Sequence, residues 1–274
     1  MIVLINCGGS GSRLWPLSTP EFPKHLLKVE GADGDGSLMQ NTYARVKDYV
    51  DDIYFITESG HAHHVKEQLN DVDNDHIIIE PARRGTASCI LYALDHIRER
   101  HDADIPLVFI SADHVIHDHG AFHDVLKHAA KTSVKHKEIT LFGVEPTYPS
   151  TGFGYVEKGK KISTNGEKDV HEVLTFKEKP DRKTAESYIR EGKYYWNSGN
   201  FAAPLSVWVK SMDKYAPYLA QCYKSLEKSK SNEEKKNTYL GFENNSIDYA
   251  LMEPSERLLA VSYTHLTLPT IYSV

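Results

Sequence analysis

The sequence predicts an α/β fold, a mostly parallel sheet flanked by helices on both faces. Short β-rich apolar runs alternate with amphipathic helical patterns through the first half, the order of a βαβ sheet. The first run, residues 2–5, opens directly into a glycine cluster. Two further polar loops, 81–86 and 111–114, also follow strand-like runs, and ligands on such sheets bind beyond the carboxyl ends of strands.

In chain order, the β-rich runs 53–57, 76–80, 107–111 and 139–144 predict strands, separated by helices over 38–49, 62–69, 86–100 and 121–134. The second half changes character. Residues 154–157 and 170–178 read as two strands joined by a polar loop with Asn165-Gly166, a hairpin signal. Helices are expected over 183–191, 205–215 and 218–229, with a charged exposed loop or frayed helix end at 231–237. A last strand is expected at 258–261.

With 274 residues, 40% hydrophobic and 26% charged, the chain has ordinary globular composition and length for a core without staples. A net charge of −6 with no offsetting basic cluster argues against nucleic-acid binding. Cys7, Cys89 and Cys222 are scattered and odd in number, with no zinc spacing or disulfide framework, which suits a cytoplasmic setting. The opening apolar run is too short for a signal peptide or a membrane span. His61-Ala62-His63-His64 and His114, His117 and His119 invite zinc, but among 15 histidines such clustering is expected by chance.

The glycine cluster carries the chemistry. In Cys7-Gly8-Gly9-Ser10-Gly11-Ser12-Arg13-Leu14-Trp15-Pro16-Leu17-Ser18, three glycines within four residues let backbone amides approach and converge on phosphate oxygens. Arg13 and then Lys24, after Pro23, supply a bidentate fork and a point charge for the same anion. Alone, the cluster reads equally as a surface turn with two solvated cations. It is not a dinucleotide fingerprint, because Leu14 holds the sixth position, nor a P-loop, because no Gly-Lys-Ser/Thr closes it.

The ordered combination resembles the sugar-1-phosphate nucleotidyltransferases, and its Leu-Trp-Pro-Leu-Ser wording is similar to the mannose-1-phosphate guanylyltransferases among them. The resemblance continues in family order through nearly all of residues 2–261. It implies a Rossmann-like domain of the nucleotide-diphospho-sugar transferase type that forms GDP-mannose and pyrophosphate from GTP and mannose 1-phosphate with Mg²⁺. It assigns Arg13 and Lys24 to the triphosphate, with Gly8, Gly9, Gly11 and Ser12 cradling the nucleotide. In Glu80-Pro81-Ala82-Arg83-Arg84-Gly85-Thr86-Ala87 it places Arg84, Gly85 and Thr86 on the guanine; the plain alternative is a helix start capped by Thr86. In Ser111-Ala112-Asp113-His114 it makes Asp113 the metal ligand, where a lone strand-end aspartate would otherwise read as a cap.

On the sugar side, Gly152-Phe153-Gly154-Tyr155 resembles the family's glycine segment, so Gly152 and Gly154 would approach the hexose. Phe176-Lys177-Glu178-Lys179-Pro180 matches its Glu-Lys-Pro motif, with Glu178 accepting from sugar hydroxyls and Lys179 neutralising the sugar phosphate. The alternative there is a solvated charged face. Trp196-Asn197-Ser198-Gly199-Asn200 places Asn197 on sugar hydroxyls; otherwise it is a buried anchor ahead of a turn. Ser246-Ile247-Asp248-Tyr249-Ala250-Leu251-Met252-Glu253 also fits, while Pro254 stands where the family has lysine.

The resemblance implies a second metal aspartate just downstream of residue 261, absent here. Residues 1–261 are therefore expected to form a C-terminally truncated catalytic domain, and 262–274 a non-native tail. Such a chain could bind and fail to turn over. Two rivals stay open: a nucleotidyltransferase for another sugar 1-phosphate, and a non-catalytic sugar-nucleotide-binding regulatory subunit. The sequence leaves the oligomeric state open, a homo-oligomer included.

Overall fold

The structure is a computed structural model that describes residues 1–9, 15–163 and 168–263. β1 (Ile2–Asn6) is flanked in parallel by β2 (Asp52–Glu58) and β4 (Pro106–Ser111), and β3 (Ile77–Glu80) runs parallel to β2 at the edge. Side chains of a strand alternate between faces, so Ile2 and Leu4 enter one core while Val3 and Ile5 enter the other. Each core is roofed by helices. α3 (Gly85–Ile97) covers the first face, and α1 (Leu38–Val46), α2 (Ala62–Gln68) and α4 (His119–His136) the second.

Beyond β4 the expected parallel sense gives way to a mixed sheet, in the order β3-β2-β1-β4-β8-β5-β9-β7-β6. β5 (Thr140–Val144) pairs in parallel with β9 (Leu259–Tyr263), but β8 (Tyr194–Pro204) runs antiparallel to both β4 and β5. β6 (Gly154–Lys161) and β7 (Val170–Lys177) form the expected antiparallel pair; Asn165-Gly166 lies outside the described residues. α5 (Arg182–Glu191) separates β7 from β8, and α6 (Leu205–Tyr215), α7 (Pro217–Lys228) and α8 (Asn232–Leu240) follow.

Three stretches differ in detail from their reading in the sequence. Asn197-Ser198-Gly199-Asn200 has the chemistry of a turn after an anchor, yet it forms the interior of the 11-residue strand β8. Of the exposed loop or frayed helix end expected over 231–237, the structure gives helix: residues 232–237 are the first part of α8. Ser231 caps it by accepting from the Glu234 amide at 3.2 Å, Tyr239 is fully buried, and Lys235 bridges Asp95 (2.7 Å) and Glu99 (2.8 Å). Finally, β9 runs past 261, so Ser262 and Tyr263 belong to the sheet, with Tyr263 packed against Phe122. Residues 264–274 of the expected tail lie outside the described residues. Among the described residues no helix is long and apolar enough to cross a membrane.

Candidate active site

β1 ends at Asn6, whose side chain accepts from the Gly8 amide at 3.1 Å and so shapes the start of the glycine loop. Gly9 follows at φ +106°, a backbone that L side chains rarely adopt. Gly11, Ser12 and Arg13 lie outside the described residues. α3 stands beside the end of β1, where Cys89 Sγ lies 3.8 Å from Asn6 Oδ1. The parallel strand β4 ends next to β1 and carries Ser111 and Asp113 to the same level. Lys24, on a one-turn 3-10 helix (Lys24–Leu26), reaches across to them. Its Nζ lies 3.0 Å from Asp113 Oδ2 and 3.3 Å from the Asp113 carbonyl.

Ser111 Oγ donates to Asp113 Oδ1 at 2.6 Å, so both carboxylate oxygens are engaged. Burial pulls the Asp113 carboxyl upward, but the Lys24 ammonium and the Ser111 hydroxyl outweigh it and hold it well below the usual carboxylate range. Burial lowers His114 to about 4, against the pull of Asp113, so this imidazole is neutral at pH 7. Two residues assigned separate roles from sequence thus form one ion pair. The loop between them is braced from behind: Thr42 Oγ1 donates to the Ala112 carbonyl (3.3 Å) and Arg45, paired with buried Asp33 at 2.6 Å, donates to the His114 carbonyl (3.3 Å).

The opposite wall is built from β6, β7 and β8. Gly154 pairs with Asn197 in register, and the Glu178 carboxylate lies over the glycine: a Cβ on Gly154 would stand 2.5 Å from Glu178 Oε2. Glu178 is 7% exposed; its Oε1 accepts from Lys179 Nζ at 2.7 Å, while Oε2 is buried without a partner. Lys179 sits at φ +45°, an uncommon backbone for a side-chain-bearing residue, and its side chain is about half exposed. Gly152 donates its amide to Ser150 Oγ. The two walls enclose a cleft of about 230 Å³, lined by Lys24, Asp113, Gly152, Gly154, Glu178 and Asn197 among others.

Asp248 lines the same cleft although sequence reasoning gave it no role. It opens a π-helical turn (Asp248–Met252), and its Oδ1 accepts from Asn197 Nδ2 at 2.8 Å. The signal was its place in the 246–253 motif. The guanine-side assignments fare differently. The cap of α3 is Arg84, not Thr86, and the Thr86 hydroxyl is not free but accepts from the Ile247 amide at 2.9 Å. Arg84 Nη2 donates to the Leu240 carbonyl at 2.7 Å, and a Cβ on Gly85 would run into the Asn245 carbonyl. All three residues tie α3 to the 240–247 segment.

A larger groove of about 570 Å³ runs along α4, with Lys127, Lys131, Lys135 and Lys168 in its lining. The sequence reading found no basic cluster; the four-residue spacing stacks three of these lysines on one face of α4. None of the predicted site residues lies there. Among the described residues no group of three or more His, Cys, Asp or Glu side chains could hold a metal.

An α/β sheet with a Lys–Asp pair at the carboxyl ends of its strands and a polar wall across the cleft is the frame of a nucleotide-handling transferase class. The nucleotidyl transferase family model matches residues 2–239, and the chain belongs to that family. It is 36% identical over 270 residues to mannose-1-phosphate guanylyltransferase RfbM of Salmonella typhimurium, covering 94% of this chain and 54% of that protein. Among solved structures it resembles a mannose-1-phosphate geranyltransferase from Thermus thermophilus (TM-score 0.84, 25% identity, 96% of this chain and 74% of that one). It also resembles a mannose-6-phosphate isomerase from Helicobacter pylori (TM-score 0.75, 25% identity, 96% and 98%). The chain spans about half the length of the curated relatives it matches.

Proposed function

We propose that this chain carries a cytoplasmic mannose-1-phosphate guanylyltransferase activity, within residues 1–261, that transfers GMP from GTP to mannose 1-phosphate and releases pyrophosphate. The observation that carries the reading is the Lys24–Asp113 pair at 3.0 Å, facing Glu178 and Asn197 across one cleft. The name of the Salmonella relative, a mannose-1-phosphate guanylyltransferase, supports mannose 1-phosphate as acceptor and a guanylyl donor, from which GTP and the product GDP-mannose follow as part of this reading.

A sugar phosphate oxygen is already ionised at neutral pH, so attack on the α-phosphorus of GTP needs no general base. The new O–Pα bond forms as the bond from Pα to the bridging oxygen breaks, and pyrophosphate leaves with the electron pair. The protein's share is alignment and charge neutralisation. Lys24 and Arg13 would take the triphosphate, Gly8, Gly9, Gly11 and Ser12 its phosphate oxygens, and Lys179 the sugar phosphate. Gly152, Gly154, Glu178 and Asn197 would hold the hexose. Arg84, Gly85 and Thr86 would serve the guanine through the segment they anchor rather than by free side-chain groups.

Asp113 fits a hard divalent cation such as Mg²⁺. It is an oxygen donor that already draws a cation, the Lys24 ammonium, and Mg²⁺ is commonly held by one or two carboxylates with substrate phosphates and water. When bound there, the ion would supply a template and Lewis-acid neutralisation of the two anions.

Pyrophosphate release with GTP and mannose 1-phosphate, in Mg²⁺ and in EDTA, tests the reading. Release in Mg²⁺ alone is expected; binding of GTP and GDP-mannose without release from this chain, but with release from one extended through the second metal aspartate, would mark the truncated state and keep the reading. Release with another nucleotide and sugar phosphate but not this pair would overturn the substrates, and equal release in EDTA would overturn the metal.

A further inference from the structure

Glu178, Asn197 and Asp248 enter the cleft from three elements: the end of β7, the interior of β8 and the π-helical turn. Asn197 is held at both ends. Its Nδ2 donates to Asp248 at 2.8 Å, and its Oδ1 accepts from the Gly199 amide at 3.1 Å. Glu178 has one oxygen on Lys179 and the other buried without a donor. Asp248 has no ion-pair partner among the described residues. A buried acceptor left without a donor, as Glu178 Oε2 is, costs free energy unless a ligand supplies one, and a hexose carries several hydroxyl donors to share with the partly buried Asp248 beside it. A π-turn is a local feature frequently found at functional sites, and it is what brings Asp248 to the cleft wall.

We infer that Asp248 is a second sugar-reading carboxylate, accepting from a hexose hydroxyl other than the one Glu178 takes and setting specificity among sugar 1-phosphates. This rests on the sugar-phosphate reading given above. Burial first, and Glu178 second, raise the Asp248 carboxyl to about 6, with the Asn197 amide and the Lys179 ammonium opposing the rise.

The test is equilibrium binding of GDP-mannose, its 2-, 3-, 4- and 6-deoxy analogues, and GTP to the unsubstituted chain, D248N and D248A. Asparagine keeps an oxygen for Asn197 but loses the charge and one acceptor. D248N is expected to bind GDP-mannose roughly tenfold or more weakly, with GTP affinity unchanged. One deoxy analogue should bind the unsubstituted chain weakly by a similar factor, and D248N no more weakly than GDP-mannose itself. If D248N matches the unsubstituted chain for every analogue while D248A loses affinity, Asp248 only positions Asn197 and the inference is overturned. If the unsubstituted chain binds GTP but no sugar nucleotide, the functional reading fails first and takes this one with it.

Discussion

The wall of the cleft that carries Lys24 and Asp113 and the wall that carries Glu178, Asn197 and Asp248 place their polar groups differently relative to the sheet. On the first, polarity begins where strands end. β1 and β4 are apolar through their interiors, and Asn6, Ser111 and Asp113 stand at or beyond their last residues. On the second, Glu178 follows the last residue of β7 and Asp248 opens a π-helical turn, but polarity also lies inside a strand. Asn197, Ser198 and Asn200 sit in the interior of β8, each 7% exposed or less. Ser198 Oγ donates to the Phe142 carbonyl (2.9 Å) where β5 and β8 slip register, and Asn200 Oδ1 accepts from the Ser111 amide (3.1 Å). A buried polar group in such a place costs free energy unless it is hydrogen-bonded, and these bonds tie the side chains to neighbouring strands, with only Asn200 Nδ2 among them left without a partner. The first wall can therefore lose a side chain and keep its sheet, whereas the second couples ligand recognition to the packing of the sheet itself.

Lys24→Ala gives the sharpest test of that difference. The ammonium sits on a one-turn helix outside the sheet, so its removal should leave the fold in place, with the thermal midpoint shifted by only a few degrees. Turnover should fall by roughly 10²-fold or more, because a preorganised charge on the transferring phosphates is lost. Pyrophosphate release and a melting curve on the same preparation check both halves. Near-normal turnover would remove Lys24 from the chemistry; unfolding would show the first wall to be as tied to the sheet as the second.

Gly154→Ala probes the other wall. The new Cβ would meet Glu178 Oε2 at 2.5 Å, Asn197 Cβ at 3.3 Å and the Phe176 ring at 3.4 Å, so the carboxylate must move. A displacement of about 1 Å at a positioning group costs up to roughly 10²-fold in rate. The expected result is a fall of roughly 10- to 100-fold in kcat/KM for mannose 1-phosphate with the KM for GTP unchanged. Equal losses for both substrates would show that the two walls do not divide the substrates between them.

The same contrast decides what could be read in the sequence. The parallel half was legible because apolar strands and amphipathic helices carry their own periodicity; β2 and β4 extend only a residue or so beyond the expected runs. The order of motifs singled out Lys24, Asp113, Gly152, Gly154, Glu178 and Asn197, and one cleft does bring these six together. β8 was not, because Asn-Ser-Gly-Asn satisfies the local rules of a turn, and only partners far away in sequence (Phe142, Ser111, Asp248) make it a strand. Thr86 reads as a cap for the same reason: the amide its hydroxyl serves belongs to Ile247, far along the chain.

Glu80 marks the seam between the halves, and its substitution should have the smallest effect. It ends β3 in the parallel half, is 5% exposed, and accepts from the hydroxyl of Tyr239 in α8 at 2.5 Å. Burial raises its carboxyl from 4.5 to about 7, with Glu58 adding to the rise and the Tyr239 hydroxyl and Arg83 opposing it. Between those values the folded protein holds a proton that the unfolded chain has released, so stability falls as pH rises through that window. Glutamine keeps an acceptor for Tyr239 and cannot ionise. E80Q should therefore gain on the unsubstituted protein by about 1–2 kcal/mol between about pH 5 and pH 8, read from urea unfolding at each pH. Parallel stability profiles for the two proteins would mean that Glu80 titrates at its ordinary value, and that the seam is wetter than its burial implies.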